Sequence, residues 1–140
     1  MKHKILKLFL GLILSILTSC SSSPSNTIPT SNTDYKNIIG APIEIGNLEV
    51  AQFDFPSGMM NWDEATAACS KLGPGWRLPT VDELNILYKN KDRIGGFKGK
   101  FYWSSTEIGS FNACFQLFST GYRNVHAKYI TNYVRAIKSY

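Results

Sequence analysis

The chain is 140 residues long, with 15 Lys and Arg against 10 Asp and Glu and a formal net charge of +5. Three of those cations, Lys2, Lys4 and Lys7, fall within the first 19 residues, which hold no acidic side chain. Beyond position 19 the balance is 12 against 10, too even to support nucleic-acid binding, and 121 residues fit one compact domain with a tail.

The basic start is followed by an apolar run from Leu8 to Leu17 and then Thr18-Ser19-Cys20. A charged head, a short apolar core and small residues before a break form a secretory signal, too short to span a bilayer. Leu17-Thr18-Ser19-Cys20 resembles the bacterial lipobox. That resemblance implies cleavage before Cys20, lipid on its thiol and acylation of the new amino terminus. Several acyl chains on one cysteine give a stable anchor where a single chain would not. Ser21 stands where an aspartate would retain such a protein in the inner membrane, so the outer membrane is the expected location.

Residues 20–40 are expected to form the lipidated cysteine and a flexible tether, with 1–19 as signal and 41–140 as the domain. The Ser-, Thr- and Pro-rich stretch from Ser21 to Lys36 has too few apolar groups to offset ordering entropy. Gly46-Asn47, flanked by Pro42–Ile45 and Leu48–Phe55, predicts a two-residue hairpin whose second strand shifts register near Ala51. Asn61 with Glu64 predicts a capping box, followed by a helix with Trp62, Ala65, Cys69 and Leu72 on one face and stopped by Gly73-Pro74-Gly75.

A second capping box, Thr80 with Glu83, predicts another helix with Val81, Leu84, Leu87 and Tyr88 inward. From Lys89 to Lys100 a basic, Gly-rich loop is expected. Strands are predicted over 101–105, 113–118 and 132–139, with a further one over 122–128. The class is α+β, two helices with small antiparallel sheets, in which first and last strands could pair. Trp62, Trp76 and Trp103 are expected in the core, and Arg135 is expected to pair with Glu83 or Asp82.

With Cys20 taken by lipid, Cys69 and Cys114 form an even pair in an oxidising compartment. A disulfide between them would close a loop of about 45 residues and stabilise by roughly 3–4 kcal/mol. The alternative is two buried thiols.

Four blocks occur in one order: Trp62-Asp63-Glu64-Ala65 with Cys69, Trp76-Arg77-Leu78-Pro79-Thr80 with Glu83-Leu84, Tyr102-Trp103-Ser104-Ser105-Thr106, and Tyr133-Val134-Arg135-Ala136. Together they resemble the Fibrobacter succinogenes major paralogous domain family and are similar to the lectin-like C-terminal domain of Legionella collagen-like adhesins. The resemblance covers about residues 45–140 and implies a C-type-lectin-like fold with long loops. The wider fold includes calcium-dependent lectins and formylglycine-generating enzymes, so function rests on the residues here.

Neither calcium-lectin signature, a Glu-Pro-Asn or Gln-Pro-Asp loop or a later Trp-Asn-Asp block, is present, and an oxygen-rich calcium cage is hard to assemble from the scattered carboxylates. No metal or cofactor is expected. A Cys114–His126 nucleophile would lack an acidic orienter and an oxyanion motif, and His126 reads as a surface residue beside Lys128. The expected ligand-binding residues are Glu107, Asn112, Tyr122, Arg123, Asn124, Lys128 and Tyr129, with Gln116 nearby. Aromatic rings beside Arg, Lys and Asn suit sugar faces or anionic groups. The expected role is a non-catalytic, lipid-anchored envelope module binding a glycan, a polyanion or a surface partner. A structural envelope protein with a protein partner is the alternative, and an oxidase stands last.

Overall fold

The computed structural model describes residues 34–140. The signal, the lipobox and Cys20 lie outside the described residues. Helix α1 (Asp34–Ile39) falls within the segment expected as tether. Ile39 is fully buried, and its carbonyl accepts from the Phe53 amide at 3.0 Å. The ordered domain therefore begins before residue 41. The Ile38-Ile39 pair supplies burial just beyond the Ser-, Thr- and Pro-rich stretch.

Strands β1 (Ile43–Ile45) and β2 (Leu48–Val50) form the expected hairpin, with Ile45 opposite Leu48 and Gly46 at φ 61° in the turn. Strand β6 (Ile137–Ser139) pairs antiparallel with β2, Val50 opposite Ile137, giving the order β1-β2-β6. The last strand thus closes on the second strand of the hairpin rather than on the first. Beyond Val50 the chain leaves the sheet, so the expected strand through Phe55 does not form. Residues 132–136, expected as strand, cross between sheets and make only single bridges, Met60 with Asn132 and Tyr102 with Tyr133.

Both predicted capping boxes are present. In α2 (Trp62–Lys71) the Asn61 side chain accepts from the Glu64 amide at 3.0 Å, while Glu64 accepts from the Asn61 amide at 3.1 Å. In α3 (Val81–Lys89) Thr80 and Glu83 do the same. Each satisfies two otherwise orphaned amides. The basic loop contains one short helix, α4 (Lys91–Ile94), pinned by buried Ile94.

The second sheet is an antiparallel meander of β3 (Phe101–Ile108), β4 (Asn112–Leu117) and β5 (Arg123–Ala127). Its register shifts between Trp103 and Glu107. Trp103 is fully buried and Trp76 nearly so, in one core with Ala65, Cys69, Ala113 and Phe115. A second core gathers Leu84, Leu87, Tyr102, Phe118 and Ile137. Trp62 is half-buried at the edge of the first.

Two side-chain expectations are corrected. Arg135 pairs with Asp54, Nε to Oδ1 at 2.9 Å. It is Arg77, beside the first turn of α3, that grips Glu83 at 2.7 and 2.8 Å. Cys69 and Cys114 are free thiols. Cys69 shares its core with Ala113 and Phe115, and strand alternation turns Cys114, between those two, to the other face of the sheet.

A candidate binding groove at the hairpin end

The sheet separates the expected ligand-binding residues into two groups. Tyr122, Arg123 and Asn124 lie at the start of β5. Glu107 and Asn112 flank the β3–β4 turn, and Lys128 and Tyr129 follow the end of β5. Five residues of strand set Arg123 and Lys128 roughly 16 Å apart, so the seven do not form one site.

In the first group Arg123 faces Asp82 at 3.7 Å, both side chains well exposed, and Asn124 Nδ2 donates to the Tyr122 hydroxyl. Gln116, fully buried, donates to Asn85 Oδ1 at 3.1 Å and to the Gly121 carbonyl at 3.2 Å. None of these residues lines the groove described next or the two grooves beside the basic loop.

The second group opens onto a groove of about 470 Å³ lined by Asn61, Asp63, Ser110, Phe111, Lys128 and Tyr129. Phe111 and Tyr129 are each 81% exposed. For large aromatic rings such exposure is costly unless a partner covers them. The backbone holds the two walls together, since the Lys128 amide donates to the Phe111 carbonyl at 2.8 Å and the Trp62 amide to the Lys128 carbonyl at 3.0 Å. Lys128 Nζ rests 4.3 Å from the centre of the Trp62 ring and binds Glu107. Trp62 is fixed in turn through its indole N–H, which donates to the Ser104 carbonyl at 2.8 Å.

The groove is not a cationic one. Its lysine carries a carboxylate counter-charge, and Asp63, which has no ion-pair or side-chain hydrogen-bond partner among the described residues, adds a negative charge at the rim. Asn61 is occupied in capping α2. Phe111, Ser110, Asp63 and Asn61 were absent from the residues expected to bind. A lone Phe in a turn carries no periodic signal, and its exposure is settled only by the hairpin geometry.

His126 is not the surface residue expected. It is half-buried, its ring 3.9 Å from that of Phe115 and 5.3 Å from that of Phe101. Asn132 Nδ2 stands 3.2 Å from its Nδ1. Register places His126 opposite Ala113 and Cys114 opposite Val125. Directly opposed residues share a face, so Cys114 and His126 project to opposite faces and do not form a dyad. Burial raises the pKa of both thiols, to about 12 for Cys69. At Cys114 the nearby Arg123 opposes that rise. Among the described residues no three His, Cys, Asp or Glu side chains gather in a metal-binding arrangement.

No family model matches the sequence, and no curated protein does. Solved structures do match in shape. EMS16, an antagonist of the collagen receptor integrin α2β1, has a TM-score of 0.55 at 12% identity, over 71% of this chain and 98% of that one. Botrocetin has a TM-score of 0.52 at 11% identity, over 71% and 97%. A chain of the complex between a mutant von Willebrand factor A1 domain and botrocetin has 0.51 at 10%, over the same shares. These are C-type-lectin-like snake-venom proteins, and the present chain has the C-type-lectin-like fold. At such identities the likeness establishes the fold alone.

Proposed function

We propose that this chain is a non-catalytic binding module, held at the bacterial outer membrane by lipid on Cys20, that takes a glycan in the Phe111–Tyr129 groove without calcium. The observation that carries the reading is the pair of rings, each 81% exposed, facing a groove with Asp63, Ser110 and Lys128 at its rim. Aromatic faces stack on sugar C–H faces, while carboxylate and hydroxyl groups meet sugar hydroxyls. Resemblance of the four sequence blocks to the Fibrobacter domain family and to Legionella adhesin domains supports the same class. Lys128 already faces Glu107, and Asp63 adds a negative charge at the rim, so a neutral glycan suits the groove better than a polyanion. The opposite facing of Cys114 and His126 gives an oxidase or hydrolase no support here.

A protein partner is the second reading, favoured by Ile108 and Ile130, which are 51% and 39% exposed and close in sequence to Phe111 and Tyr129. The structurally similar EMS16 is an antagonist of a collagen-receptor integrin, a protein partner on the same fold. A glycan array with the parent chain and a Phe111→Ala/Tyr129→Ala variant tests the proposal. Signal on a defined set of glycans, lost in the variant, supports it. Absence of glycan signal together with a stoichiometric protein crosslink from Tyr129 in cells selects the protein reading. Radiolabelled palmitate incorporated by the parent and not by Cys20→Ser tests the anchor.

A further inference from the structure

Charge in this domain is segregated. Over residues 89–100 five cations, Lys89, Lys91, Arg93, Lys98 and Lys100, stand against Asp92 alone, a local charge of +4. The remainder of residues 34–140 holds seven cations and nine carboxylates, a charge of −2. Among the described residues none of these five cations has a carboxylate within ion-pair distance, whereas Arg77, Arg123, Lys128, Arg135 and Lys138 each do. Lys91 and Lys98 sit instead over the rings of Tyr88 and Tyr133, at 4.4 and 5.5 Å.

The segment is also a shaped surface. A groove of about 450 Å³ runs between α4 and the Gly95–Gly99 turn, and one of about 360 Å³ is lined by Phe53, Phe55 and Tyr133. Gly96 and Lys98 border both. Half-exposed Phe53 adds an aromatic ring at the same edge.

We propose that this basic pole docks on the anionic phospholipid surface of the membrane to which the chain is tethered. Each Lys or Arg near an anionic leaflet contributes about 1 kcal/mol within a Debye length, so an uncompensated cluster of five suffices for weak, oriented contact. Only 13 residues lie between Cys20 and Asp34, and covalent geometry limits the distance between those two to about 50 Å. That proximity raises the effective concentration of headgroups at the loop.

Orientation follows from the sheet. The basic loop runs directly into Phe101, and the Phe118 amide donates to the Lys100 carbonyl at 3.0 Å. The Phe111–Tyr129 groove is at the other end of the same hairpin, roughly 20–25 Å along β3. A docked basic pole therefore presents the groove away from the bilayer. The tethering part of this inference rests on the lipid-anchor reading, but the docking surface can be tested without it.

The test uses the chain from residue 20 onward carrying Cys20→Ser, so that no lipid is attached. Co-sedimentation is measured with vesicles of phosphatidylcholine and of phosphatidylcholine with 30% phosphatidylglycerol, at about 50 mM salt. The expected result is binding to the anionic vesicles only, weakened about fivefold for each charge removed in Lys91→Gln, Lys98→Gln and Lys100→Gln. Lys36→Gln/Lys71→Gln, which removes charge from exposed sites elsewhere, should bind as the parent does. No sedimentation, equal binding to both vesicles, or equal loss in that control overturns the proposal. Retention on heparin without vesicle binding also overturns it and assigns the patch to an acidic polysaccharide. Failure of palmitate labelling would strike the anchor and leave the vesicle result standing.

Discussion

Arg135 and Asp54, 81 residues apart, meet in the interior: the guanidinium Nε donates to Asp54 Oδ1 at 2.9 Å, with the arginine side chain fully buried. Nη2 lies 2.8 Å from the same oxygen but off the line of a hydrogen bond. Nη1 donates to the carbonyls of Ala51, Gln52 and Gly95, and the guanidinium covers the Phe97 ring at 3.9 Å. One side chain thereby ties the last crossing segment to the loop after β2 and to the loop that carries the basic pole.

Removing one partner of a buried pair strands the other charge and here also leaves three carbonyls without their donor. Arg135→Met should therefore destabilise by about 3–5 kcal/mol in urea titrations. Arg135→Lys should recover little of it, since an ammonium cannot span Asp54 and three carbonyls from one planar fork. A loss below about 1 kcal/mol for Arg135→Met would show that the clamp is dispensable.

Arg77 pulls the Glu83 carboxyl from its ordinary 4.5 down to about 2, helped by the Thr80 amide and against partial burial. A lowered folded-state value means the stabilisation is present above the unfolded pKa and lost as pH falls toward 2. The melting temperature should drop between about pH 4.5 and 2, and this part of the drop should shrink in Arg77→Gln. An unchanged acid limb in that variant would contradict the assignment.

Cys69 is fully buried with its thiol raised to about 12, and Cys114 is partly exposed on the other face. Iodoacetamide at pH 8 should label Cys114 slowly in the native chain and leave Cys69 until denaturant is added. Mass analysis after denaturation without reductant should find both thiols alkylated. A Cys69–Cys114 crosslink there would contradict the fold as described.

Gly121 has φ +80°, and a Cβ on it would come within 2.6 Å of the Tyr88 ring. Gly121→Ala should cost about 1–3 kcal/mol through strain and the displaced ring. Gly58→Ala has a similar φ but open space around it, and should cost less. Urea titration of the two variants measures the difference, and equal losses would remove the Tyr88 contact as its cause.

The sequence alone determined what is encoded within a few neighbouring residues. The two capping boxes, Asn61 with Glu64 and Thr80 with Glu83, and the Gly46-Asn47 hairpin follow from hydrogen bonds closed within four positions. Ordered blocks around Trp62, Trp76, Trp103 and Arg135 pointed to the C-type-lectin-like class. Long-range matters were decided only by tertiary structure: that Arg135 seeks Asp54, that Cys114 turns away from Cys69 and His126, and that Ile39 joins the core. Each depends on which face of a strand a residue occupies and on what a distant segment brings against it, and a one-residue change of register reverses the former. The same geometry divided the expected binding residues between two ends of one sheet. It also set Phe111 beside Tyr129 at one of those ends and gathered five uncompensated cations near the other.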